Sequence, residues 1–264
     1  MLLTWLYVPG DRPDRFAKAV ASGADAVILD LEDAVVLPRK EYARAATAEF
    51  LKETHPVPVY VRIASAEDLP AASGAAGLRL PKVESPEQVL AVAARTGAEL
   101  HPLIESAAGV EHAYAIATAH PAVASIGLGE ADLRSDLGVT DEAALAWPRG
   151  RLVVAARAAG LPPPAMSVYP DLSDMDGLEA SCRLGRRQGF LGRAAIHPRQ
   201  LPVIAAAFRP EPEEVAAAMA VLAGLTESGE GPLVLPDGRF ADRAMVGAAR
   251  RVLDLAARYP ITGL

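Results

Sequence analysis

Short apolar runs rich in β-branched residues recur between residues 4 and 196, separated by alanine-rich stretches that carry arginine and glutamate. Runs of four to eight such residues suit buried strands, and the longer stretches between them suit helices. Strict alternation of the two is the pattern of βα units around a parallel sheet. Eight strand candidates follow: Thr4 to Val8, Ala26 to Leu31, Val57 to Ile63, Gly77 to Pro81, Glu99 to Ile104, Val123 to Gly127, Ala165 to Val168 and Gly189 to Ile196. Helices are predicted at 12–21, 39–53, 66–73, 86–96, 107–119, 142–159, 174–187 and 198–207, several opened by Asp, Ser or Pro. Eight units predict a closed (β/α)8 TIM barrel, whose strands are apolar nearly throughout because packed bore and outer helices bury both faces.

The 264 residues, 51% of them hydrophobic, are enough for one large core. The barrel is assigned to 1–208. From 209 to 264 the pattern changes to a helix near 211–227, a Gly-rich turn from Ser228 to Pro232, a hairpin through Pro236-Asp237-Gly238 and an amphipathic helix from Asp242 to about Tyr259. This C-terminal helical and hairpin extension is too short for a core of its own, so it is expected to pack on the barrel or on a neighbouring subunit.

A formal charge of −7 provides no global field for a polyanion, so nucleic-acid and anionic-membrane binding are disfavoured. The first apolar stretch, Leu2 to Val8, is too short for a membrane span and has no basic segment before it. A cytoplasmic location is expected. The single cysteine, Cys182, excludes an intramolecular disulfide and a cysteine metal cluster, leaving oxygen or histidine as metal ligands.

Chemistry in such a barrel sits where strands end, and acids and bases concentrate there. Strand 2 runs into Asp30, Glu32 and Asp33, strand 3 into Arg62, strand 4 into Lys82 and Glu84, strand 5 into Glu105, strand 6 into Glu130 and Asp132, strand 7 into Tyr169 and Asp171, and strand 8 into His197. Any one of these, taken alone, is more often a helix cap or an ion-pair partner. Glu105 and Asp132, on adjacent strands, converge on one point, where two anions repel unless a cation lies between them. Magnesium commonly uses only one or two protein carboxylates, so this pair suits a catalytic Mg2+ site. Arg62 is placed either to grip a carboxylate or enolate oxygen, or to pair with Asp30 or Glu32. Tyr7-Val8-Pro9-Gly10-Asp11 resembles an anion-accepting turn, and the arginines at 183, 186, 187, 193 and 199 could hold phosphates, though a solvated helix face is the commoner reading of such spacing. No GxGxxG, Walker loop, HExxH or GxSxG is present.

The string Leu6-Tyr7-Val8-Pro9-Gly10-Asp11-Arg12-Pro13, followed by Ser22 to Val35 with its Asp30-Leu31-Glu32-Asp33 core, resembles the opening of citrate lyase beta-subunit-like proteins of the HpcH/HpaI aldolase superfamily. Val61-Arg62-Ile63, Leu80-Pro81-Lys82-Val83-Glu84-Ser85, Leu103 to Val110, Gly129-Glu130-Ala131-Asp132-Leu133, Val168-Tyr169-Pro170-Asp171 and Ala195-Ile196-His197-Pro198 continue the resemblance in order. It implies Mg2+ on Glu105 and Asp132, Arg62 on the keto acid, and Tyr7 and Lys18 at the substrate; His197, followed by Pro198, is placed to contact the substrate or equally to cap the core. It further implies that Asp242 is a catalytic carboxylate delivered by a neighbouring subunit of a homo-oligomer, a trimer or hexamer. The chain departs from relatives at Ala64, where they often place Asn, and at Phe240 to Ala244, where they often show Met-Ile-Asp-Lys-Pro. The implied activity is cleavage or formation of a 3-hydroxyacyl-CoA thioester such as malyl-, citramalyl- or citryl-CoA, giving a 2-keto acid and acetyl-CoA. Alternatives are a CoA-independent metal aldolase for 4-hydroxy-2-keto acids and a citrate lyase subunit acting on a carrier-bound acyl group.

Overall fold

The computed structural model describes residues 2–227, 233–234, 238, 240–242 and 245–259. Its strands are β1 (Thr4–Pro9), β2 (Ala26–Asp30), β3 (Val59–Arg62), β4 (Gly77–Leu80), β5 (Glu99–Ile104), β6 (Gly127–Leu128) and β7 (Arg193–Ala195). They form one parallel sheet in the order β6-β5-β4-β3-β2-β1-β7. Outside it lie α1 (Phe16–Val20), α2 (Lys40–Phe50), α3 (Pro86–Ala93), α4 (Ala107–Glu111), α5 (Ala113–Ala117), α6 (Glu130–Leu137), α7 (Ala146–Ala158), α8 (Met175–Arg187) and α9 (Leu201–Phe208).

Local chemistry sets the helix starts. Ser85 makes a reciprocal capping box with Gln88 and is followed by Pro86 at the first helical position of α3. Ser106 accepts the Gly109 N–H at 3.2 Å to open α4, and Asp174 accepts the Gly177 N–H at 2.8 Å to open α8. The helix expected over 66–73 is instead a short 3-10 turn, Ala66–Asp68. There the buried Asp68 carboxylate takes the Ala64 N–H at 2.6 Å and the Arg44 guanidinium at 2.6 Å.

The two edges of the sheet, Gly127 and Leu128 on one side and Arg193 and Ala194 on the other, line a single cavity, so the sheet curls round on itself. Its inner face is packed with Trp5, Ala26, Ile28, Tyr60 and Ala194, with Tyr7 and Val168 against them. Trp5 and Tyr60 meet with ring centroids 4.9 Å apart, and Tyr60 meets His101 edge-on at 5.1 Å.

The eighth expected strand, Ala165 to Val168, is reduced to one parallel bridge, Met166 with Arg193. Pro162, Pro163 and Pro164 precede it and Pro170 follows, and proline cannot donate to a ladder. The segment hydrogen-bonds towards β7, through Met166 N–H to Gly192 O at 2.9 Å and Ala194 N–H to Met166 O at 3.0 Å. Among the described residues no ladder joins it to β6. The sheet is a curled, seven-stranded half-barrel, with its opening between β6 and residues 165–168.

Contacts divide the chain between Ala207 and Phe208 into two compact units. The second contains α10 (Pro212–Glu227), an antiparallel pair of β8 (Leu233–Val234) and β9 (Phe240–Ala241), and α11 (Val246–Arg258). Ala218 and Val221 of α10 pack on Ala249 of α11, flanked by Leu222, Val252 and Leu253. The expected turn Ser228 to Pro232 and residues Pro236 and Asp237 of the expected hairpin turn lie outside the described residues. No helix among the described residues is long and apolar enough to cross a membrane.

Candidate active site

Asp30, the last residue of β2, is 1% exposed, and Glu32, just beyond it, is 7% exposed. Buried carboxylates need partners, and Arg62 at the end of the neighbouring β3 supplies them. Its Nε donates to Asp30 Oδ1 at 2.7 Å and its Nη2 to Asp30 Oδ2 at 2.6 Å, while Nη1 lies 2.8 Å from Glu32 Oε2. Asp30 also accepts the Glu32 and Ala34 N–H groups, at 2.9 and 3.2 Å, so the Asp-Leu-Glu-Asp turn is folded around one carboxylate. The Arg62 guanidinium is thereby held over the Tyr7 ring, 5.1 Å from its centroid.

Glu105, at the end of β5, is 5% exposed. Its Oε2 accepts the backbone N–H of Lys82 at 3.0 Å. Lys82 has a φ of 54°, the one left-handed non-glycine residue among those described, and its Nζ reaches Glu32 Oε1 at 2.7 Å and Asp33 Oδ1 at 3.5 Å. A methyl group on Gly129, just after β6, would stand 2.2 Å from Glu105 Oε1, so only glycine leaves room for this carboxylate. Asp132 follows in the first turn of α6, half-buried. Burial pushes the Glu105 carboxyl up to about 7, and the negative fields of Glu32 and Asp132 add to this against the Lys82 N–H.

A carboxyl pushed up by burial and by its anionic neighbours, with one backbone donor and, among the described residues, no arginine or lysine ion pair of its own, sits in a field that favours a cation. Among the described residues no group of three or more His, Cys, Asp or Glu forms a closed metal cage. The two carboxylates Glu105 and Asp132, all oxygen and open on one side, fit a hard dication such as Mg2+, which keeps further positions for water and substrate.

Tyr7, Arg62, Glu105 and Asp132 all line one cavity of about 1140 Å3. Its far wall passes between β6 and residues 165–168 to reach Tyr169, Arg193 and the inner side of α8. Glu130 on that wall is gripped at both oxygens by Arg149, at 2.7 Å each, and Arg149 also meets Glu142 at 2.6 Å. The Tyr7 hydroxyl is pushed up by burial, against the pull of Arg79 and Arg62.

The family described as HpcH/HpaI aldolase/citrate lyase matches residues 3–198. The chain belongs to this family. It is 36% identical over 269 residues to a citrate lyase subunit beta-like protein of Mycobacterium tuberculosis, covering 94% of this chain and 93% of that one. It is 35% identical over 266 residues to a (3S)-malyl-CoA thioesterase of Cereibacter sphaeroides, covering 94% and 92%. The crystal structure of CitE from M. tuberculosis in complex with magnesium, acetoacetate and coenzyme A superposes with a TM-score of 0.84 at 34% identity, over 97% of this chain and 98% of that one.

Of the candidate positions, the structure brings Tyr7, Arg62, Glu105 and Asp132 to one cavity, whereas Lys18 and His197 do not line it. Lys18 is exposed on α1 and does not line the cavity; Arg15, just before that helix, does. His197 is exposed, and its Nδ1 accepts the Arg199 N–H at 3.1 Å, so it caps the turn Pro198–Gln200 rather than facing the cavity; Ile196 takes that place. Asp242 lies in the second unit, just after β9, its carbonyl accepting the Met245 N–H at 3.0 Å.

Of the arginines read as a solvated face, Arg193 is instead 2% exposed and lines the cavity. Position 193 is inside β7, and the helical spacing that grouped it with 183, 186 and 187 ended with α8. Arg79, Gly129 and Arg149 also belong to the cavity wall. Of these, Arg79 had a signal in the sequence, a charge inside the otherwise apolar run Gly77 to Pro81.

Proposed function

We propose that this chain is a Mg2+-dependent carbon-carbon lyase acting on a 3-hydroxyacyl-CoA thioester, of the malyl-, citramalyl- or citryl-CoA type. The observation that carries this is the buried Glu105 carboxylate, facing Asp132 and Arg62 across one cavity in a chain of the aldolase/citrate lyase family. A relative that acts on (3S)-malyl-CoA and a neighbour crystallised with magnesium and coenzyme A support the substrate class.

In the cleavage direction the bond between the carbinol carbon and the carbon next to the thioester breaks, its electron pair passing to the thioester enolate. The hydroxyl loses its proton, leaving a 2-keto acid, and the enolate carbon gains one, giving acetyl-CoA. Glu105 and Asp132 would hold Mg2+, which when bound supplies Lewis-acid polarisation of the reacting oxygen. Arg62, fixed on Asp30 and Glu32, presents its remaining N–H donors to the carboxylate of the acid fragment or the developing enolate oxygen. Tyr7, beneath Arg62, shapes the floor for the acid fragment. Asp242 is assigned the proton at the enolate carbon, supplied from a neighbouring subunit of a homotrimer or hexamer.

The purified chain, given malyl-, citramalyl- and citryl-CoA with and without Mg2+, is expected to release acetyl-CoA and a keto acid only with the metal. Glu105→Ala and Asp132→Ala are each expected to abolish this release and metal binding together; wild-type behaviour of both variants would end the proposal. A second reading, thioester hydrolysis, is favoured by the relationship to the (3S)-malyl-CoA thioesterase and is recognised by free CoA and malate in place of acetyl-CoA and glyoxylate. Turnover of soluble acyl-CoA rejects a carrier-dependent subunit, and tight acetyl-CoA binding rejects a CoA-independent aldolase. A single-subunit mass in light scattering would remove the shared role of Asp242.

A further inference from the structure

Arg62 and Arg79 are register partners on adjacent strands β3 and β4, and both line the cavity. Arg62 has two carboxylates, Asp30 and Glu32. Arg79 has none: among the described residues no carboxylate lies within ion-pair distance of it, and its Nε is buried without a hydrogen-bond partner. It is 7% exposed, so this charge is more than nine-tenths removed from water.

Its neighbours are the Trp5 ring, 4.8 Å from the guanidinium carbon, the Tyr7 ring at 6.0 Å, and its register partner His101, whose imidazole is held neutral by burial and by Arg79 itself. His101 Nδ1 is occupied by Ser125 Oγ at 2.7 Å. Two aromatic faces offset part of the desolvation of a guanidinium, but they take up none of its in-plane donors. A permanently charged planar fork with an unused edge, buried at the wall of a cavity, is built for a planar anion.

We propose that Arg79 is a specificity-determining residue that binds a second carboxylate on the acid fragment, so that the preferred keto acid is a dicarboxylate of the oxaloacetate type rather than glyoxylate or pyruvate. This rests on the lyase reading above. Neighbouring strands stand about 4.8 Å apart, and the two carboxyl carbons of a four-carbon keto diacid are three bonds apart, a comparable span. One carboxylate then meets Arg62 while the other meets Arg79. The thioester arm offers no such group: its amides are neutral, and its phosphates sit at the far end of the chain, too bulky for a position this enclosed.

The test is binding. Calorimetric titration of the purified protein with freshly dissolved oxaloacetate and with pyruvate, in the presence of magnesium, is followed in parallel by tryptophan fluorescence, to which Trp5 and Trp147 contribute. The wild type is expected to bind oxaloacetate at least about tenfold tighter than pyruvate. Arg79→Met is expected to lose that preference, leaving pyruvate and acetyl-CoA affinity within about twofold of wild type. Arg79→Lys, which keeps the charge but not the fork, is expected to lose part of it and stands in if Arg79→Met does not fold. Unchanged oxaloacetate affinity in the variants, or equal loss for both acids, overturns the assignment. Selective oxaloacetate binding by a wild type that cleaves no acyl-CoA would sink the lyase reading and leave the subsite standing. Cleavage without dicarboxylate preference would do the reverse.

Discussion

The backbone N–H of Lys82 donates to the Glu105 carboxylate at 3.0 Å from a left-handed conformation, φ 54°, that lysine rarely adopts. The strain at one residue thus aims a donor at the side chain proposed to hold the metal, and the Lys82 ammonium, reaching back 2.7 Å to Glu32, helps keep it there. Because the hydrogen bond is made by backbone, Lys82→Gly is expected to keep it while relieving roughly 1 kcal/mol of conformational strain. Lys82→Val, which removes the ammonium and adds a branched carbon at this φ, is expected to cost about 1–3 kcal/mol and to weaken Mg2+ binding. Thermal melts and magnesium titrations of the two variants check this; equal melting temperatures would show that the backbone here is not strained.

Gly129 controls the same carboxylate from the opposite side. A Cβ at this position falls 2.2 Å from Oε1 and 2.5 Å from Cγ of Glu105, so Gly129→Ala must push the side chain out of its buried position. The fold is expected to survive, because the displaced group is a side chain at a cavity. Mg2+ affinity is expected to drop by at least about tenfold, a loss of roughly 1.4 kcal/mol. Wild-type magnesium affinity in a folded Gly129→Ala protein would show that Glu105 is not a ligand in this position.

Much of this was legible in the sequence. Strands buried on both faces announce themselves as apolar runs, and β1 to β5 lie where those runs placed them. Glu105 and Asp132 stood out because two acids at the ends of neighbouring strands repel one another without a cation, and Arg62 because the resemblance put it at the acid fragment. The segment 165–168 was misjudged because composition registers apolar residues, whereas the three prolines before it decide how many ladder bonds it can make. Lys18 and His197 have the right sequence neighbourhood, but Lys18 stands on the exposed face of α1, and at His197 the turn that follows the strand uses the ring as its cap. The contacts of Gly129 with Glu105 and of Arg149 with Glu130 join residues 24 and 19 positions apart and have no local signature.

His101 provides a pH signature that is independent of the metal. Burial, and then the nearby Arg79, push its imidazole down to about 3. In the unfolded chain it titrates near 6.5, so between these values the unfolded state carries the extra proton and stability falls as pH drops below about 6.5. The slope contributed by this one group is at most about 1.4 kcal/mol per pH unit. Chemical denaturation at about pH 7, 6 and 5 is expected to show a shallower loss for His101→Phe than for the wild type. Parallel curves for the two proteins would mean that His101 is not buried neutral.

Burial makes the ion pair of Arg149 with Glu130 count measurably in the stability of the fold. Arg149 is 2% exposed and holds both oxygens of Glu130 at 2.7 Å, with Glu142 at 2.6 Å on its other side. Removing one member of a buried pair strands the other, which commonly costs about 3–5 kcal/mol, whereas replacing both by apolar groups is often close to neutral. Arg193 sits in the field of both, and among the described residues its Nε and Nη1 have no hydrogen-bond partner, so Glu130 acts on two buried arginines, through contact with Arg149 and through its field on Arg193. Glu130→Gln is therefore expected to destabilise at least as much as Arg149→Met, although Glu142 remains for Arg149. The double variant Arg149→Met, Glu130→Leu is expected to recover most of the loss. Denaturant titrations of the two single variants and the double one give the coupling directly, and additive losses would show that the two side chains act independently.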